Sequence, residues 1–186
     1  MHVDSWSADG KSIILTDDAP TTLQDLWVLN LEGEPSTQPL LRTPYRESNG
    51  RISPDGRWIA YESDESGQWE IYIQAFPGLG KKVLVSTRGG NQAIWSHDGS
   101  ELFYRGEGSI MAVKVQSGET LSVTPPKPLF RDQYALRTQN HNISFSVSKD
   151  GKQFLMLKGE PQTHITHLEV VNNWFDEVKR KAPTGK

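Results

Sequence analysis

Four aspartates, Asp9, Asp55, Asp98 and Asp150, share one context, the tetrapeptide Ser-x-Asp-Gly. Repeated carboxylates could serve as general bases or metal ligands. After a serine and before a glycine, however, an aspartate bonds nearby backbone N–H groups and holds a turn, so these four read as structural. His164-Ile-Thr-His167 brings two imidazoles three residues apart. On a strand such residues point to opposite faces, so one metal would not take both, and they read as surface or packing histidines. His2, His97 and His141 share no ligand spacing. Ser63-Asp-Glu-Ser-Gly-Gln lacks the alternating acids of a calcium loop and reads as a solvated loop. Gly78-Leu-Gly-Lys81 lacks the earlier glycine and the following Ser/Thr of a phosphate-binding loop. No Gly-x-Ser-x-Gly nucleophile elbow occurs. The chemistry-bearing residues therefore predict no catalytic site, no metal and no cofactor.

The elements that position these residues repeat. The turn aspartates stand 46, 43 and 52 residues apart. Three residues before each is an apolar residue: Trp6, Ile52, Trp95 or Val147. Four residues after each begins an apolar run: Ile13–Leu15, Ile59–Tyr61, Leu102–Tyr104 or Phe154–Met156. A second run follows a polar loop: Leu26–Leu29, Ile71–Ile73, Ile110–Val113 or Ile165–Val171. A third follows in three units: Pro39–Leu41, Val83–Val85 and Pro128–Phe130. The runs are short and rich in β-branched and aromatic residues, which favours strands. In the turn, Gly supplies the left-handed conformation that closes a hairpin. Each unit reads as a four-stranded antiparallel meander of about 45 residues, the sequence signature of a β-propeller blade. The predicted fold is all-β, with residues 1–171 forming four blades of about 1–45, 46–88, 89–132 and 133–171. From Asn172 the period changes: Trp174, Phe175 and Val178 share a helical stripe and Pro183 follows. This predicts a short amphipathic helix and tail over 172–186.

Composition removes other classes. The chain has 186 residues, no cysteine and a formal net charge of −3. Thiol enzymes, disulfide scaffolds and Cys-ligated zinc or iron–sulfur sites are excluded. The near-neutral balance without a basic run argues against nucleic acid as partner. No apolar run approaches the roughly 20 residues needed to span a bilayer as a helix. The first residues, Met-His-Val-Asp-Ser-Trp, show no basic-then-apolar export signal.

Residues 52–73, Ile-Ser-Pro-Asp-Gly-Arg-Trp-Ile-Ala-Tyr-Glu-Ser through Glu-Ile-Tyr-Ile, resemble the TolB-like, WD-like propeller repeats. Val-Ser-Thr-Arg-Gly-Gly (85–90) and Ile-Trp-Ser-His-Asp-Gly (94–99) continue the pattern. Phe-Ser-Val-Ser-Lys-Asp-Gly-Lys (145–152) and the closing Asn-Trp-Phe-Asp-Glu-Val-Lys-Arg (173–180) are similar to the C-terminal propeller of bacterial receptor-type serine/threonine kinases. The kinase motifs themselves, V-A-I-K, H-R-D and D-F-G, are absent. The resemblance implies a bacterial sensor or scaffold domain without catalysis, usually periplasmic or otherwise outside the cytoplasmic membrane.

In a propeller the loops between blades, and between second and third strands, share one end, and loops carry function more often than framework. These inter-blade loops are expected to hold Tyr45, Arg46, Asn49, Arg88, Asn91, Gln92, Tyr134, Arg137, Asn140 and His141. The binding residues expected are Tyr45, Arg46, Arg88, Asn91, Tyr134, Arg137 and His141. Arginines beside aromatics suit an acidic or polar protein or peptide partner. The expected function is a non-catalytic protein-interaction or sensor module. The alternatives are a small-ligand-binding or enzymatic propeller of lyase or hydrolase type with a central-funnel site, and a regulatory fragment of a larger kinase or peptidase. Four blades leave three arrangements: a closed four-blade ring, two chains completing one ring, or a partial arc. A homodimer completing the ring is preferred, because open blade faces would be large apolar patches.

Overall fold

The computed structural model describes residues 1–18, 23–118, 120–134 and 144–156. Among them every regular element is a β-strand. The first sheet comprises β1 (His2–Trp6), β2 (Ser12–Asp17), β3 (Asp25–Asn30) and β4 (Ser36–Leu41), paired antiparallel in chain order. The second repeats that order with β5 (Glu47–Ile52), β6 (Trp58–Ser63), β7 (Glu70–Ala75) and the two-residue β8 (Val83–Leu84). These sheets are blades 1 and 2. Blade 4 is described by β14 (Phe145–Val147) and β15 (Phe154–Met156). The helix expected over 172–186 lies outside the described residues.

Blade 3 departs from four strands. It contains β9 (Asn91–Trp95), β10 (Glu101–Gly106) and the nine-residue β11 (Ser109–Ser117), followed by β12 (Leu121–Val123) and β13 (Lys127–Arg131). The last two divide one outer position: β12 pairs with the far half of β11 and β13 with its near half. Pro125 and Pro126 fall between them, where missing N–H donors break the ladder. Proline also sits within outer strands, Pro39 in β4 and Pro128 in β13.

Each Ser-x-Asp-Gly turn joins a first strand to a second, and the four are built alike. Gly10, Gly56, Gly99 and Gly151 have φ between 70° and 76°. The serine hydroxyl donates to the aspartate at 2.5–2.7 Å. The aspartate accepts the N–H two residues on, and the serine oxygen accepts the N–H five residues on at 2.9–3.0 Å. In Asp98 the Ser96 hydroxyl and the Ser100 donors hold the carboxyl down at about 2.

Blades stack face to face through apolar clusters. Ile14, Leu26 and Val28 of blade 1 meet Ile52, Ile59 and Tyr61 of blade 2. Ala60, Ile71 and Ile73 of blade 2 meet Trp95, Leu102 and Tyr104 of blade 3. Phe103, Ile110 and Ala112 meet Phe145 of blade 4, with Phe154 edge-on to Phe103. Each fully buried aliphatic side chain contributes about 2 kcal/mol. Gly50 keeps the first seam close: a Cβ there would stand 2.6 Å from Ile14 Cγ2.

Candidate functional site: the loop end of the blades

The loops between blades and between second and third strands open at the end opposite the turns. Acids of the framework hold these loops. The Arg46 N–H donates to Asp64 at 2.9 Å, with the Arg46 guanidinium 3.9 Å from the same carboxylate. Glu70, buried, accepts the Gly89 N–H at 2.9 Å and the Ser86 hydroxyl. Asp132 accepts the Tyr134 N–H at 3.2 Å and pairs with buried Arg105. Glu47 accepts the Thr43 hydroxyl. Burial pushes the Glu47 carboxyl above the usual carboxylate range; nearby Asp25 adds to this and Thr43 opposes it.

A second set of polar contacts joins consecutive blades, always from the fifth residue of the second strand. In blade 1 this residue is Thr16, whose oxygen accepts the Asn49 N–H at 3.3 Å. In blade 2 it is Glu62, which accepts the Gln92 N–H at 2.6 Å and the Asn49 side-chain amide at 2.8 Å. In blade 3 it is Arg105, which donates to Ser144 Oγ at 3.1 Å. Ser144 in turn donates both its N–H and its hydroxyl to Gln92. The receiving residues sit at bulges: Asn49 and Gln92 have φ of 54° and 55°, and the register skips there in both blades. Asp4 adds a contact at the first seam by accepting the Thr16 hydroxyl at 2.6 Å and the Gly50 N–H at 3.1 Å. Burial raises its carboxyl despite these bonds.

The residues expected to bind are placed as follows. Tyr45 is exposed, and its N–H donates to Thr43 Oγ1. Arg88 is exposed and pairs with Glu107 at 3.2 Å. Tyr134 is half-buried beside Asp132. Asn91 opens β9 instead of lying in a loop, and Asn49 and Gln92 likewise belong to strands, because the ladders to β6 and β10 run through the bulges. Arg137 and His141, with Asn140, lie outside the described residues. Among the described residues no hydrogen bond or ion pair joins Tyr45, Arg46, Arg88, Asn91 and Tyr134 to one another. Tyr45, Arg46, Arg88 and Tyr134 occupy successive loops of one end, each tied to its own blade or the next, with Asn91 at the start of β9. Sequence reasoning missed Glu47, Glu62, Glu70, Arg105 and Asp132, because an isolated charged residue in or just after a strand carries no motif.

At the turn end, a cavity of about 370 Å³ lies between blades 1 and 2, lined by Ser7, Asp9, Pro54, Asp55, Gly56 and Phe76. Its aspartates are already engaged by their own turns. No group of three or more His, Cys, Asp or Glu able to hold a metal ion occurs among the described residues. Among the described residues there is no helix long and apolar enough to cross a membrane.

Neither a protein-family model nor a curated protein sequence matches the chain. Solved structures do match. A proposed TolB from Agrobacterium tumefaciens aligns at 17% identity and TM-score 0.53, over 70% of this chain and 50% of its own. TolB from Acinetobacter baumannii aligns at 20% identity and TM-score 0.50, over 78% and 40%. A proposed 6-phosphogluconolactonase from Bacteroides uniformis aligns at 19% identity and TM-score 0.52, over 82% and 46%. The chain thus spans half or less of the length of these neighbours. The succession of antiparallel blades, with these likenesses, gives the chain the fold of the TolB-like β-propellers.

Proposed function

We propose that the chain is a non-catalytic interaction module that binds a protein or peptide at its loop end. The observation carrying this reading is how the loops are held. Asp64, Glu70 and Asp132 fix their backbones, while Tyr45, Leu23 and Arg88 remain exposed among them. A prearranged surface of aromatic, apolar and basic groups loses little entropy on binding and suits an acidic or polar peptide. The acids of this end accept backbone and side-chain donors, which favours a structural role over proton transfer. TolB neighbours fit a module of this kind, and the family resemblance supports a location outside the cytoplasmic membrane.

The test is selection of peptide binders on the folded chain, followed by titration calorimetry. The double variant Tyr45→Ala/Arg88→Ala should weaken the selected peptides about tenfold or more, and Leu129→Ala, on an outer strand, should not. Peptides indifferent to the double variant would overturn the proposal.

One observation favours a second reading, a small polar ligand in the funnel. Ser48 Oγ and Asn91 Oδ1, at equivalent positions of β5 and β9, are buried without a hydrogen-bond partner. The lactonase-like neighbour is consistent with this reading. Turnover of a sugar lactone by the chain, lost in Asn91→Ala, would replace the first reading with the second.

A further inference from the structure

Counted from the turn aspartate, the same positions face the same way in every blade. Residues three before, four after and six after face the preceding blade; the residue five after faces the following one. Thus Ile52, Ile59 and Tyr61 pack on blade 1, and Trp95, Leu102 and Tyr104 pack on blade 2. Ile14, Ala60 and Phe103 are the forward-facing residues, all buried in seams.

Blade 1 carries the same backward face in Trp6, Ile13 and Leu15, and blade 4 carries the forward residue Leu155. Both faces are open where the inner strands would meet a neighbour. Trp6 is 63% exposed, where its counterparts Ile52 and Trp95 are 9% exposed. Val3 beside it is 68% exposed, and Ile13, Trp27 and Leu29 continue the face half-buried, around a buried Leu15. Leu155 is 74% exposed, where Phe103 is 2% exposed. Since both are open at once, these two faces of a single chain do not cover one another.

Trp95 shows what such a tryptophan does in a completed seam. Its indole N–H donates to the Arg51 carbonyl of the preceding inner strand at 2.9 Å. The residue of blade 4 at the Arg51 position is Ser146, opposite Leu155 in the β14–β15 ladder as Arg51 is opposite Ala60.

We propose that two copies of this chain associate head to tail. The Trp6 face of each seats on the Leu155 face of the other, and the Trp6 indole donates to the Ser146 carbonyl of the second copy. The chain carries both halves of the joint, in the register that the internal seams already use. The size is compatible: the aligned part of this chain covers 46% of the lactonase-like neighbour, so two copies match about its length. A ring closed this way buries two seams per dimer.

The test is the solution mass of the full 186-residue chain by light scattering, with three outcomes built in. The expected result is twice the 20.9 kDa of one chain. Trp6→Asp and Leu155→Asp should each weaken self-association about 100-fold or more and give the single-chain mass. Both sites are exposed, so far-UV circular dichroism should be unchanged. Mixing the two variants should restore a dimer through the one seam that remains intact. A wild-type chain at the single-chain mass would overturn the proposal. A dimer that survives Leu155→Asp but not Trp6→Asp would also overturn it, because blade 1 would then be pairing with itself.

Discussion

The two ends of the propeller solve the same problem in opposite ways. At the turn end, four serines and four aspartates repeat one set of hydrogen bonds, with distances agreeing within 0.2 Å for the serine-to-aspartate bond. At the loop end, the position that joins each blade to the next is threonine, then glutamate, then arginine. Turn geometry is local, so one tetrapeptide satisfies it anywhere. A joint between blades depends on what the next blade presents, so its chemistry varies while its position does not. The lesson is that structural equivalence in this fold is carried by register more than by residue type.

Substitutions at the loop end should therefore have unequal effects. The largest expected loss is at Arg105, where Arg105→Met leaves Asp132 buried without its cation; a loss of about 3–5 kcal/mol is expected in urea unfolding. Glu62→Ala strips the Gln92 N–H and the Asn49 amide of an acceptor and should cost about 2–3 kcal/mol, with Glu62→Gln recovering part of it. At the turn end the losses should instead be small and alike. Ser7→Ala, Ser53→Ala and Ser96→Ala should each cost about 1 kcal/mol, and a spread as wide as that between Arg105 and Glu62 would break the comparison.

The smallest effect should be that of Asp98→Asn, and it carries a pH signature. The folded carboxyl is held at about 2, below its ordinary 3.8, so its stabilisation is present above pH 3.8 and fades as the pH falls through 2. Wild type and Asp98→Asn should differ in thermal midpoint at pH 6 and converge near pH 2. A difference that persists unchanged at pH 2 would assign the effect to shape instead of charge.

The same contrast explains what could be read from the sequence. The turns, the strands flanking them and the propeller architecture were legible because Ser-x-Asp-Gly recurs with matched apolar neighbours. The division of the outer position of blade 3 was signalled only by Pro125-Pro126, and a four-strand template absorbs that signal. Asn49, Asn91 and Gln92 look like loop residues by type. The bulges in β5 and β9 let polar residues sit inside a strand while their backbones reach the adjoining blade. Thr16, Glu62 and Arg105 were illegible for another reason: three unlike residues at one position form no pattern until the register is known. Trp6 was recognised as framework, but its exposure depends on what lies beyond blade 1, and no local sequence pattern encodes that.

The outer strands set the manner in which the molecule can grow. Pro39 and Pro128 each remove a donor from the row that an added strand would need, and β8 offers only two residues of edge. The rim is thus a poor template for fibril-like extension, even in a chain rich in strands. Along the outer strands of blades 1 to 3, sideways spreading into a continuous sheet is disfavoured relative to contact of blade against blade.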